Sequence, residues 1–363
     1  MPSTDLVQSA SAGSVTTGGT PELSYFAAIT DGPSTLRRVV DMADAAGPHT
    51  TSPVASVLVT PVMLGDRSIT AFRQLREDRG TSVCFDSGGY YVQVGRIRYE
   101  DLYFRLLSVY LAHPWADRYV LPDHVPTSRD SPDEVWAKVE QTVQWSRMFF
   151  EELPAPLRER AMPVVHGHTL EQADFALASY LEMGARQVGF GSFGTFGADG
   201  GVNIAHTASV DVARWVIAAA GRHGVPVHLF GLGVPALVAR ITGLGARSFD
   251  SSGWLKSAGF GQVTLPFSRA HNITHRNTRS DLQEGILWEE FVARRERTGH
   301  RCPYCEEWRA LAECKWRRAA HNLLCLSESV AMVNRGEYAR IREIYATGSP
   351  KYREEAARWL PSA

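Results

Sequence analysis

At 363 residues, 44% of them hydrophobic, the chain is long enough for one barrel-sized domain and a small appendage. A formal net charge of -1 excludes a bulk cationic field, so a nucleic-acid partner has to be held by a local patch. No segment reaches the apolar length of a membrane span, and the Ser/Thr/Gly-rich start lacks the basic end and apolar core of a signal peptide, so a cytoplasmic protein with no membrane partner is expected.

Residues 1–21 are small and polar with no periodic apolar face, which predicts a disordered tail. From Ala55 onward, short β-rich runs alternate with stretches of helical periodicity, the rhythm of parallel βα units. The predicted strands are Ser56–Val62, Ser82–Asp86, Arg118–Leu121, Met162–His166, Gln187–Gly191, Val225–Gly231, Ala246–Phe249 and Gln262–Phe267. Helices are expected at Pro132–Glu151, Leu170–Met183, Val210–His223 and Pro235–Thr242, with apolar residues at three- and four-residue spacing. Eight strands of this kind predict an α/β chain: a (β/α)8 TIM-type barrel over 22–270, with a zinc-binding helical subdomain over 271–363 packed on it.

Barrel enzymes keep their chemistry where the strands end. The run Val83–Phe85 ends on Asp86, and Ser87-Gly88-Gly89 lets the backbone turn sharply beside that carboxylate before Tyr90. Asp-Ser-Gly-Gly followed by an aromatic resembles the signature of the tRNA-guanine transglycosylases, whose barrel exchanges a guanine base for a 7-deazaguanine. The segment Gly243-Leu-Gly-Ala-Arg-Ser-Phe-Asp250 is similar to the family's turn and apolar run ending in its nucleophile. The resemblance implies a pentosyl-transferring glycosyltransferase in which Asp250 attacks the anomeric carbon and Asp86 serves as acid and base. Helix capping is the plain alternative for either carboxylate, and Asp-Ser-Ser is good capping chemistry.

The same resemblance implies a base pocket. Tyr90 would stack on the purine face, Ser87 would lie beside it, and Asp123 would accept from the N–H edge of a guanine-type base. His166 stands where the family has Gln before Gly, replacing an amide fork by an imidazole. Gly191 and Ser192 would allow a close backbone approach, and Gly231, ahead of Leu232-Gly233, would meet the base or a sugar-phosphate oxygen. Gly189-Phe-Gly191-Ser-Phe-Gly194 formally fits a dinucleotide fingerprint, but the next residues, Thr195-Phe-Gly-Ala-Asp-Gly-Gly201, are too glycine-rich for a phosphate-binding helix.

Near the C-terminus, Cys302, Cys305, Cys314 and His321 lie within twenty residues. Three thiols and an imidazole suit tetrahedral Zn(2+), and four protein ligands make such a site structural. The family carries a zinc site of this composition, and His321-Asn-Leu fits its context. The spacing differs from the family's, so Cys325 is an alternative to Cys314 as the third thiolate. Arg294-Arg295, Arg301 and Arg317-Arg318 make the subdomain a candidate phosphate-contacting patch.

After Asp250 the chain reads Ser-Ser-Gly-Trp-Leu-Lys, without the Pro-Thr-Arg element that tRNA-acting enzymes carry. The resemblance therefore leans to the DNA-modifying, DpdA-type branch. It implies DNA and a 7-deazaguanine base of the 7-cyano type as partners, with tRNA as the alternative, and helper proteins and a homodimer as further partners. More remote alternatives are a metal-dependent amidohydrolase or deaminase using His166 and His168, and a non-catalytic partner subunit.

Overall fold

The computed structural model describes residues 22–29, 32–47, 52–127, 129–191, 207–274, 285–348 and 350–361. The tail over 1–21 and Ser192 lie outside the described residues.

Nine parallel strand segments form one sheet: β1 Ser24–Ile29, β2 Ser56–Val59, β3 Ser82–Phe85, β4 Arg118–Val120, β5 Ala161–Met162, β6 Val164–Val165, β7 Val188–Phe190, β8 Val227–Leu229 and β9 Ser248–Ser251. Their order is β5-β4-β3-β2-β1-β9-β8-β7-β6. Only Pro163 separates the two end members, and Tyr119 pairs with Ala161 on one side while Val164 pairs with Gly189 on the other. The sheet is thus a nearly closed parallel barrel, with helices outside it.

One predicted strand is not in the barrel. Within Gln262–Phe267 only β10 (Gln262–Val263) is a strand, and it pairs antiparallel with β11 (His271–Asn272). Its barrel place belongs to β1, which pairs with β2 on one edge and β9 on the other. Five of the six β1 residues are buried, as a parallel strand covered on both faces requires. Local periodicity does not separate two short apolar runs of this kind, because long-range pairing decides which one inserts. The other predicted strands are present with shorter or shifted bounds: β2 stops before a 3-10 turn at Pro61–Met63, and β9 begins two residues later than expected, so that Asp250 lies within the strand rather than after it.

Side chains alternate across each strand. Phe26, Ala28, Leu58, Cys84, Val120, Met162 and Val164 pack together as one cluster, whereas Val57, Val59, Val83, Phe85 and Val165 belong to the large core shared with the helices. That division identifies the first set as the barrel interior. Two residues beyond Cys84 comes Asp86, and two beyond Val164 comes His166, so the period of two carries an acid and an imidazole to the C-terminal mouth.

The helices Pro132–Glu152 and Leu170–Glu182 match expectation, and each opens with a capping box, Ser131 with Glu134 and Thr169 with Gln172. The helix Lys315–Asn334 packs on the helix Gly253–Gly259, the helix Val238–Leu244 and β1, tying the C-terminal part to the barrel. A second, smaller core gathers Val263, Phe291, Cys302, Cys305, Leu311 and Leu324. Among the described residues, no helix is long and apolar enough to cross a membrane.

Candidate active site and candidate metal centre

A cavity of about 580 Å³, its open mouth included, sits at the C-terminal end of the strands. Asp86, Ser87, Tyr90, Asp123, His166, Gly191 and Gly231 all line it, together with Gln93 and Phe230. Seven of the residues singled out in the sequence therefore share one wall.

The backbone N–H of Asp86 donates to Val59 O at 2.8 Å, extending the β2–β3 ladder by one residue and fixing the side chain inside the mouth. Thr60 Oγ1 donates to Asp86 Oδ2 at 2.8 Å. Burial, and next the charge of Asp123, push the Asp86 carboxyl up to about 7, against the opposing hydrogen bond from Thr60. Asp86 can therefore hold or release a proton near neutral pH.

Asp123 is already engaged through both oxygens. Ser87 Oγ donates to Oδ1, and His166 Nε2 lies 2.8 Å from Oδ2. Ser87 in turn accepts from the Gly89 N–H at 3.1 Å. Each carboxylate oxygen has a second lone pair, so Asp123 can still accept from a bound base while Ser87 and His166 hold it in place. His166 has its place because residue 191 lacks a side chain: a Cβ there would come within 2.5 Å of the ring's Cε1. Tyr90, 43% exposed, stands at the mouth, where its ring can meet a planar ligand.

Asp250 lies one layer back. It is 6% exposed, is not itself part of the cavity wall, and its Oδ1 accepts from the N–H of Gly231, which is. Gly231 reaches that carboxylate through a left-handed turn with φ of 72° that other residues adopt only under strain. Leu232 N–H also donates to Asp250 O at 2.9 Å, so this loop is anchored on β9.

Sequence reasoning missed what stands beneath Asp250. His228 Nε2 is 3.4 Å from Asp250 Oδ1, and His228 Nδ1 is 2.8 Å from Ser248 Oγ, which accepts from Arg118 Nη1 at 2.9 Å. A guanidinium can only donate, so the Ser248 proton goes to Nδ1 and Nε2–H is left to donate to Asp250. Burial lowers the His228 pKa, opposed by Asp250, so a neutral ring of that tautomer is favoured. The signal was period-two spacing: Arg118 and Val120, His228 and Phe230, and Ser248 and Asp250 are inward pairs on neighbouring strands.

The metal-ligating residues need a correction. His300, Cys302, Cys305 and His321 are all buried and bring their ligand atoms within 4.8 Å of one another, so this group could hold a metal ion such as zinc. Cys314 is not in it. Cys314 caps the helix Lys315–Asn334 and lies seven residues before His321, roughly 10 Å along the helix axis. Cys325, one turn beyond His321, has its Sγ 3.5 Å from His300 Nε2 and 3.6 Å from His321 Nε2. His300 Nδ1 meets Glu328 at 2.5 Å, and His321 Nε2 donates to Thr264 O at 2.8 Å, the outer contacts that fix a ligating imidazole. The donors fit zinc, with His300 where Cys314 was expected. The overlooked signals were His-x-Cys-x-x-Cys and the helical spacing of His321 and Cys325. Among the described residues no second group of three or more such ligands occurs; His166 meets Asp123, and His168 belongs to no such group.

Most of the expected basic patch is also committed elsewhere. Arg318 is buried and donates to Ala258 O, Arg295 to Cys305 O, and Arg301 to His300 O, while Arg317 pairs with Glu307. In comparisons with known proteins, no family model matches the chain and no curated protein matches it.

Proposed function

We propose that the protein is a base-exchange transglycosylase that replaces guanine in DNA with a 7-deazaguanine derivative. The single observation behind this reading is a carboxyl poised near neutrality, Asp86, in a cavity with a mouth-facing aromatic, on the same barrel end as a second carboxylate, Asp250, held by Gly231 and His228. We also read β5 and β6 as one stave broken by Pro163, which makes the barrel a (β/α)8 barrel.

In the first half-reaction, an Asp250 oxygen attacks C1′ of the target nucleoside. The bond from C1′ to the purine nitrogen breaks, its electron pair stays on the purine, and Asp86 supplies the proton. In the second, Asp86 as carboxylate takes the proton of the incoming deazapurine, whose nitrogen attacks C1′ and releases Asp250. Tyr90 stacks on the base, and Asp123, steadied by Ser87 and His166, accepts from its N–H edge. Zinc held by His300, Cys302, Cys305 and His321, with Cys325 alongside, would close the C-terminal helices and take no part in the exchange.

Duplex DNA requires the target guanosine to be flipped out, at a cost of a few kcal/mol. DNA is favoured over tRNA by how the chain leaves Asp250: Ser251 Oγ donates to Gly233 O, and Trp254 is buried, so these residues are spent on packing. The test supplies purified protein and a deazapurine with DNA or tRNA carrying labelled guanine. Release of label from DNA is expected; release from tRNA alone would move the assignment to the tRNA-acting enzymes, and release from neither would overturn it.

A further inference from the structure

A second cavity, about 900 Å³ with its open mouth included, lies between the Leu265–His271 segment, the helix Trp288–Thr298 and the end of the helix Tyr338–Ala346. Among the described residues that line it are three arginines, Arg269, Arg294 and Arg297, and no carboxylate. Arg269 and Arg297 are exposed and enter no ion pair among the described residues, whereas Arg294 is partly neutralised by Glu290. Phe267, Ile344 and Tyr345 give the cavity an apolar floor. A groove with cationic sides and an apolar floor suits a sugar-phosphate chain better than an isolated anion.

Its place in the fold links it to the barrel mouth. Ala236 donates its N–H to Ser268 O and accepts at its carbonyl from the Tyr345 hydroxyl at 2.8 Å. Ala236 lies three residues past the Gly231–Gly233 loop, whose Gly231 lines the mouth. The groove is thus one loop removed from the site where a base would be exchanged.

We propose that this groove seats the phosphodiester backbone of duplex DNA beside the exchanged nucleotide, with Arg269 and Arg297 as its phosphate contacts. The proposal rests on the DNA-modifying reading for its ligand class, but its test does not require base exchange. Binding of a fluorescent DNA duplex is followed by anisotropy over a range of salt concentrations, for the unaltered protein and for the double variant Arg269→Gln with Arg297→Gln. Both side chains are exposed, so the fold is expected to survive, and an unchanged melting temperature verifies it.

Loss of two phosphate contacts should weaken binding about tenfold or more at low salt and make the slope of log K against log salt shallower by about 2. An unchanged affinity and slope would overturn the groove. A loss seen with tRNA but not with duplex DNA would overturn it in the form stated. If the slope changes as expected while no label is ever exchanged, the groove stands and the enzymatic reading falls; exchange on DNA with an unchanged slope does the reverse.

Discussion

The barrel mouth and the Cys/His group of the C-terminal part are both buried polar clusters, and they differ in what they leave open. At the mouth, Asp86, Asp123 and His166 face a cavity that Tyr90 joins to solvent. In the Cys/His group, His300 and His321 are 1% and 0% exposed, and their outer nitrogens are taken up by Glu328 and Thr264. One cluster keeps acceptor and proton-transfer capacity facing an empty volume, as a reacting site must; the other directs its ligand atoms at one another, as a structural metal site does. Perturbing the mouth should therefore change reaction rates and spare stability, and perturbing the Cys/His group should do the opposite.

Asp250→Ala gives the sharpest form of that contrast. With the proposed nucleophile removed, label exchange should fall by about 10⁴-fold or more, and no covalent protein–DNA adduct should be trapped on denaturing gels. Melting temperature and zinc content should stay near those of the unaltered protein. Undiminished exchange would refute the role assigned to Asp250, and gross unfolding would mean that the mouth is as structural as the Cys/His group.

The converse experiment removes metal. If zinc is held at a thousandfold excess over its dissociation constant, it contributes about 4 kcal/mol, and chelation should lower the melting temperature by roughly 8–16 °C. Cys302→Ser should reproduce this and lose the metal by elemental analysis; Cys314→Ser should do neither. If Cys314→Ser released the metal, the ligand set drawn from the geometry would be wrong.

These two regions were legible in the sequence to different degrees, for a physical reason. Asp86 comes directly after a strand run, in phase with the inward Cys84, so alternation across the strand carries it to the mouth and local pattern was enough. Asp123 lies three residues past β4, out of phase with the inward Val120, and was singled out by its place beyond a strand end and by the resemblance. Nearness in sequence favours Cys314, but a helix moves each residue about 1.5 Å along its axis, and a short sequence separation becomes a long one in space. Cys325, four residues past His321 on the same helix, has the helical spacing that keeps two side chains on one face. β1 was overlooked because its place depends on pairing with β2 and β9, and no feature of Ser24–Ile29 itself encodes those contacts. His228 and Ser248 were missed likewise, since their meeting beneath Asp250 depends on the β8–β9 register.

The mouth should also respond to pH in a way the closed cluster cannot. In the unfolded chain the Asp86 carboxyl ionises near 3.8, whereas burial keeps it protonated up to about 7 in the folded protein. Between those values the folded state holds the extra proton, so this group's contribution to stability is present at low pH, is lost as pH rises toward 7, and is flat above. The bound of about 4 kcal/mol shrinks to about 1–2 kcal/mol because the cavity admits solvent. Asp86→Asn should remove this slope and be the more stable protein at pH 8 by urea titration, while losing exchange. In the unaltered protein the proposed base-departure step should slow above pH 7, as the proton donor is lost; a rate that climbs steadily through pH 8 would place the acid elsewhere.

The smallest effect expected comes from the support under Asp250. Ser248→Ala removes the hydroxyl that fixes the His228 tautomer, so Nε2 donates to Asp250 only part of the time and the carboxylate is less well aimed. The rate of covalent trapping should drop about tenfold, with DNA affinity unchanged, because Ser248 is buried and does not line the cavity. Arg118→Met should act in the same direction more weakly, since Ser248 keeps its bond to His228 when the guanidinium is gone. A merely structural role would lower the melting temperature of both variants and leave the trapping rate per folded molecule where it was. If that is the result, the chain from Arg118 to Asp250 holds the barrel together, and the Gly231 amide alone positions the nucleophile.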